Sequence, residues 1–269
     1  MPEGDTIRKT VASLHRALAG RRLIAFTTTG GAFGPARRRP EPGTVVERVE
    51  ARGKHVLMRF GDGTVLHTHL GMHGSWHLYR PGERWLRGPT RVRAVVEVTD
   101  ATAVCFAAAV VEVLSDLEVE RHPGIAGLGP DLAADGPDLD EAVARARRVP
   151  AASPVASVLL DQRVAAGIGN VYKSEVLFAR RVDPFASVGS FDDDAIRGLL
   201  EAASSMLRAN AVRRGPRTTS REGLAVYGRA GRPCPRCRTP VRSIVHGHER
   251  RRTYWCPACQ SPGTPRTAS

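Results

Sequence analysis

Near the N-terminus the apolar positions repeat with a helical period. Ile7, Val11, Leu14 and Leu18 fall on one face, which predicts an amphipathic helix. Asp5 stands where an N-cap is expected, and Gly20 where a left-handed residue would end the helix. A Gly-, Pro- and Arg-rich stretch from Gly30 to Pro42 follows, and the pattern then changes to that of strands. Residues 45–60 and 64–70 flank Gly61-Asp62-Gly63, a hairpin turn by composition. Lys54 falls inside the first of these stretches, in a strand context. Val92, Ala94, Val96 and Val98 alternate with Arg93, Val95 and Glu97, as in a half-buried strand, and a second strand follows Thr99-Asp100. Short strands in this number predict a sandwich or barrel over residues 1–115.

From Asp116 onward helical patterning dominates. Leu139 to Arg148, Val155 to Leu160 and Val171 to Phe178 are helix candidates, the last two set around the turn Gly167-Ile168-Gly169-Asn170. Asp192 to Arg208 predicts another helix, with Ile196, Leu199, Leu200, Ala203 and Leu207 inward. Residues 209–233 are basic and Gly-rich, a cysteine module occupies 234–259, and the end reads as a disordered tail. No internal repeat is visible.

Composition narrows the function. The chain has 269 residues, 42% of them hydrophobic, enough for folded cores. No run of about 18 apolar residues exists, and the opening MPEGDTIRKT has no apolar segment behind it. No membrane partner is therefore expected. The net charge is +13, which points to an anionic partner, nucleic acid first. Arginine carries nearly all of it, since Lys9, Lys54 and Lys173 are the only lysines. Nothing requires more than a monomer.

Cys234-Pro235-Arg236-Cys237 and Cys256-Pro257-Ala258-Cys259 are separated by eighteen residues. Two such pairs predict one tetrahedral zinc ion held by Cys234, Cys237, Cys256 and Cys259. Four thiolates leave no open coordination position, so the ion would be structural. The intervening hairpin carries Arg242, His246, His248, Arg250, Arg251 and Arg252, and is suited to phosphate contact rather than being only a solvated charged face. Cys105 sits in an apolar run and reads as a small core residue.

Pro2 and Glu3 follow the initiator methionine. Removal of Met1 would expose a secondary amine able to attack an aldehyde-like carbon and form an iminium ion, an electron sink. The positive end of the first helix would disfavour protonation of that amine. Glu3 beside it could serve as acid or base. Each of Pro2, Glu3 and Lys54 taken alone is also what a surface residue looks like.

Together these residues resemble the formamidopyrimidine-DNA glycosylase/endonuclease VIII family. MPEG is similar to its N-terminal signature, ARGKHVLMRF to its lysine strand and HTHLGMHGSW to the loop that fills the hole left by an extruded nucleotide. LLDQRVAAGIGNVYKSEVLF resembles its helix–two-turn–helix motif, and CPRC with RRTYWCPACQ its zinc finger. The resemblance implies an α+β fold, an N-terminal β-sandwich with a flanking helix, then a helical domain over 116–228, a four-cysteine zinc finger over 229–262 and a tail over 263–269. It implies that Pro2 is the nucleophile at C1′ of a damaged nucleotide and Glu3 the general acid/base. Lys54 would bind the phosphate beside the lesion and assist strand cleavage. Asn170 and Arg251 would grip flanking phosphates, His69 would add a backbone contact and Met72 would enter the duplex. The partner implied is damaged DNA, and the location the bacterial cytoplasm at the nucleoid.

Three departures from the family pattern stand out. Thr6 occupies the place of a second glutamate, residues 107–117 lack an Arg-x-Phe wedge, and the segment from Arg213 to Leu224 is short. With the ending Tyr254-Trp255-Cys256-Pro257, the short segment favours the endonuclease VIII branch and oxidised pyrimidines. Two alternatives stand beside this reading: a non-catalytic zinc-ribbon nucleic-acid-binding protein, and an abasic-site lyase without glycosylase activity.

Overall fold

A computed structural model describes residues 2–29, 39–213, 215, 217–219, 223–246 and 251–261. The chain divides into two compact units, Met1–Gly127 and Leu128–Ser269.

The first unit opens with α1 (Gly4–Leu18). Ile7, Leu14 and Leu18 are buried along it and Val11 is half-buried, as the periodicity predicts. The cap differs from expectation: Glu3 is the N-cap and Asp5 lies within the first turn. Gly20, at φ +76°, follows the C-cap Ala19. The strands are β1 (Leu23–Thr28), β2 (Val46–Arg52), β3 (His55–Phe60), β4 (Thr64–His69), β5 (Ser75–Tyr79), β6 (Val92–Val98), β7 (Ala101–Phe106) and β8 (Val110–Ser115). They form two four-stranded antiparallel sheets, ordered β1-β6-β7-β5 and β2-β3-β4-β8. Val46, Met58 and Leu66 of one sheet and Val96, Ala103 and Cys105 of the other share one core with Ile7 and Leu14 of α1. Burial raises the Cys105 thiol to about 12, which leaves it an inert core residue.

The stretch 45–60 is two strands rather than one. Gly53 and Lys54 form a two-residue turn closing on the Arg52–His55 pair, with Gly53 at φ +56°. A positive φ at the first position is what a glycine-first hairpin turn needs. Lys54 is thereby moved from a strand to the tip of a rigid hairpin. On the outer face of β3, β4 and β8, Leu57, Val65 and Leu114 pack under Val119 of α2 (Asp116–Arg121) and under Ile125. Ser115 and Glu118 fix the start of α2 as a reciprocal capping box.

The second unit contains α3 (Leu139–Arg147), α4 (Val155–Leu160), α5 (Asn170–Ala179) and α6 (Asp193–Val212). Ile196, Leu199, Leu200, Ala203 and Leu207 of α6 are buried against Tyr172, Val176 and Leu177 of α5. The Asp192 side chain accepts from the Ala195 amide and starts α6. The helix runs past Arg208 because residues 209–212 contain no breaker. The unit ends with the antiparallel pair β9 (Arg242–His246) and β10 (Arg251–Trp255). His248, Arg250, the His246 side chain and the tail from Pro262 lie outside the described residues. Among those residues no helix is long and apolar enough to cross a membrane.

Candidate active site and nucleic-acid interface

In the first unit, Pro2 and Glu3 lie at the N-terminal end of α1. Glu3 is wholly buried and Pro2 half-buried. The Glu3 carbonyl accepts the Ile7 amide at 3.0 Å, so the backbone that carries its carboxyl is tied to the helix. The dipole of that helix places positive potential where Pro2 begins. Thr6 is half-buried and its hydroxyl donates to Asp5 at 3.3 Å.

Lys54 and His69 come together through strand pairing. His55, which follows Lys54, is opposite His69 in the β3–β4 register, and their rings lie 4.9 Å apart. Burial, then the Lys54 charge, holds His69 below the usual histidine range. Met72 sits in the connection between β4 and β5 and is 59% exposed. Its loop is constrained on both sides. A Cβ on Gly71 would come within 2.8 Å of the Ala109 Cβ, and one on Gly74 within 2.9 Å of the Ala108 Cα. Gly71 also needs φ +64°. Met72 is thus an exposed apolar side chain on a tightly packed turn. In the β7–β8 connection, residues 107–109, Ala109 is exposed, Ala107 half-buried and Ala108 buried.

In the second unit, Asn170 is the first residue of α5 and is buried. Its Nδ2 donates to the Arg252 carbonyl at 2.7 Å, which brings it next to Arg251 at the start of β10. Lys173, also buried, donates to Asn170 Oδ1 at 2.7 Å and to Thr253 Oγ1 at 2.8 Å. The Asn170 amide is thus oriented from both ends. The turn before it is stitched by Gln162, which donates to the Leu160 and Ile168 carbonyls and accepts the Gly167 amide. Glu175, buried one turn along α5, accepts the amides of Ala225, Val226 and Tyr227 at 2.7–2.9 Å, and also the Thr219 hydroxyl. Lys173, Gln162 and Glu175 were not singled out in the sequence. A lysine and a glutamate in a helix look like solvated charges until the fold buries them.

The four cysteine sulfurs of Cys234, Cys237, Cys256 and Cys259 lie within 4.8 Å of one another. Individual Sγ separations are 3.4, 3.4 and 3.9 Å, close to the edge of about 3.8 Å expected for thiolates tetrahedral around zinc. Hydrogen bonds from Thr239 hold Cys237 down at about 6, whereas burial and then the neighbouring thiols push Cys256 and Cys259 up. A divalent cation relieves that conflict by letting all four ionise. The cluster could hold a metal ion. Arg236 joins it to α5: its guanidinium donates to the Phe178 and Ala179 carbonyls at 2.6 and 3.1 Å and stacks 4.2 Å from the Phe178 ring. These carbonyls lie at the C-terminal end of α5, where a cation is favoured.

Residues 1–109 match the formamidopyrimidine-DNA glycosylase N-terminal domain, and residues 128–222 the formamidopyrimidine-DNA glycosylase H2TH domain. The chain is 42% identical over 271 residues to "Probable endonuclease 8 2" of Streptomyces coelicolor, covering 99% of this chain and 96% of that protein. It is 38% identical to the "DNA-(apurinic or apyrimidinic site) lyase Nei2" of Mycolicibacterium smegmatis, covering 97% and 99%. The MutM (Fpg) protein of Thermus thermophilus superposes with a TM-score of 0.80 at 27% identity, over 98% of this chain and 100% of that one. A Lactococcus lactis formamidopyrimidine-DNA glycosylase bound to DNA with an abasic site shares the fold, with a TM-score of 0.81 at 22% identity over 96% and 99%. The chain belongs to the formamidopyrimidine-DNA glycosylase family, within which its similar relatives carry endonuclease 8 names.

Proposed function

We propose that this protein is a bifunctional DNA glycosylase and abasic-site lyase of base excision repair, acting on oxidised pyrimidines and on abasic sites in DNA. The observation that carries the reading is a carboxyl with no exposed surface, Glu3, held at the N-cap of α1 directly after Pro2, in a chain of this family. A base within the stack is out of reach and must first be extruded, which costs a few kcal/mol and least at a damaged pair. Met72 fills the gap. Lys54 and His69 hold phosphates from the first unit, Asn170 and Arg251 from the second.

The Pro2 nitrogen bonds to C1′ as the C1′–base bond breaks, and the base leaves with a proton supplied by Glu3. The Glu3 carboxylate then takes the N–H proton and returns it to O4′ as the C1′–O4′ bond opens, which leaves C1′ doubly bonded to the proline nitrogen. The resulting iminium accepts the electron pair released when the C2′ proton is removed, and the 3′ phosphate departs. Loss of a second proton expels the 5′ phosphate, leaving a one-nucleotide gap with a phosphate on each end. Cys234, Cys237, Cys256 and Cys259 bind one structural Zn2+, which pins the hairpin carrying Arg251 and takes no part in bond making.

A second reading, lyase activity without base release, is favoured by Thr6 in place of a glutamate. Oligonucleotides carrying thymine glycol, dihydrouracil, 8-oxoguanine or an abasic site separate the two. The proposal expects free base and phosphate-ended fragments from the oxidised pyrimidines. Cleavage of the abasic site alone would establish the lyase reading, and cleavage of none would refute both.

A further inference from the structure

A cluster of histidines on the outer face of the β2-β3-β4-β8 sheet has no part in the chemistry above. His55, His67 and Glu112 share that face because strand positions alternate, and His67 is paired with Glu112 in the β4–β8 register. His122, just after α2, closes the cluster. His67 is 1% exposed and Glu112 half-buried. The links form one chain. The Gly124 amide donates to His122 Nδ1 at 3.1 Å. The His122 proton therefore sits on Nε2, which lies 3.1 Å from Glu112 Oε2. His67 Nδ1 donates to the same oxygen at 2.9 Å. His67 Nε2 is then an acceptor, 2.8 Å from His55 Nδ1, which must carry a proton. Every tautomer is fixed by the bond before it, and the chain ends on a bare His55 Nε2.

His67, Glu112 and His122 are also close enough to ligate a metal ion. A metal would need the lone pair of His122 Nε2, yet the Gly124 amide already takes the Nδ1 lone pair, so a neutral His122 has its proton on Nε2. The hydrogen-bonded chain is the arrangement these contacts support.

We propose that Glu112, His67 and His55 are a positioning relay, which fixes the His55 ring in one tautomer and orientation, against the His69 ring and next to Lys54 in the chain, and so sets the surface on which Lys54 and His69 meet DNA phosphate. The proposal rests on the phosphate-binding reading of Lys54 and His69. The groups facing His55 are Lys54 on the hairpin turn, His67 and His69 on β4, Glu112 beyond His67 on β8, and His122. Burial, then the charges of His67, His69, His122 and Lys54, holds His55 down at about 3. A neutral imidazole beside Lys54 adds no competing cation where a phosphate is to bind.

The test is ¹⁵N imidazole NMR of the full-length, zinc-loaded protein between pH 5.5 and 8, with affinity for duplex DNA containing a tetrahydrofuran abasic analogue. The relay predicts a protonated Nδ1 and bare Nε2 on His55 throughout. Glu112→Ala should mix the His55 tautomers and weaken DNA binding about tenfold, while Glu112→Gln, which keeps an acceptor oxygen, stays within about threefold. A His55 proton on Nε2 in the native protein, titration of His55 in this range, or an unchanged His55 tautomer in Glu112→Ala would overturn the relay. So would a second bound metal equivalent lost on His67→Asn substitution. If Lys54→Ala binds the abasic duplex as tightly as the native protein, the phosphate reading fails instead, and the NMR result identifies which of the two was wrong.

Discussion

Acidification from pH 7 to pH 5 should weaken the first unit by an amount that the histidine cluster sets. His55 titrates near 3 in the folded protein against about 6.5 for an exposed histidine. Between those values the unfolded chain binds a proton that the folded chain refuses. Stability then rises with pH across the window: it is complete above about 6.5 and is lost as pH falls below it. One proton is worth about 1.4 kcal/mol per pH unit, so His55 alone removes about 2 kcal/mol by pH 5. His67 and His69 are lowered as well, chiefly by burial, and add to the loss. Equilibrium urea unfolding followed through Trp76, with Trp85 and Trp255 replaced by Phe, reports on this unit. The expected slope between pH 6 and 5 is more than one proton, and His55→Gln should reduce it by about one. A stability independent of pH in this range, or one that increases on acidification, would refute the reasoning.

Three further outcomes follow from single sites. Gly74→Ala places a methyl against the Ala108 backbone, with the Leu70 carbonyl on its other side, and should cost roughly 2 kcal/mol in urea unfolding, since neither neighbour is a movable side chain. Met72→Ala removes a side chain that is already 59% exposed, so thermal stability should stay within about 0.5 kcal/mol while affinity for abasic duplex falls at least fivefold in a titration. Chelation of the metal should release the β9–β10 hairpin and abolish DNA binding, yet leave the urea transition reported by Trp76 in place, because the first unit has its own core. Joint loss of both transitions would contradict that independence.

Much of the architecture can be read from periodicity, because α6 and β6 each bury one clean face. Ile196, Leu199, Leu200, Ala203 and Leu207 keep the 3.6 spacing without interruption, and Val92 to Val98 keeps the period of two. The Gly53-Lys54 turn is harder to see. A lone glycine between apolar-alternating residues reads as a weak spot in one strand, and only the Arg52–His55 pairing shows that the chain reverses there. The cap of α1 fails for a related reason: Asp5 has better capping chemistry than Glu3, but the helix begins one residue before it. The cysteine cluster is legible because both pairs are local in sequence. The histidine chain is not, since His55, His67, Glu112 and His122 come from four segments: strand register brings the first three together, and α2 ends where His122 joins them. The same holds for Lys173 and Asn170, whose common partner, the Arg252 carbonyl, lies about eighty residues further along the chain.

The central claim concerns one nitrogen. Borohydride reduction of the protein mixed with abasic-site DNA, followed by protease digestion and mass spectrometry, locates the covalent bond directly. The account predicts a deoxyribose-derived adduct on a chain that starts at Pro2, carried by the proline amine and absent from Pro2→Gly. An adduct on Lys54 or another side chain, or full activity from protein that retains Met1, would contradict it.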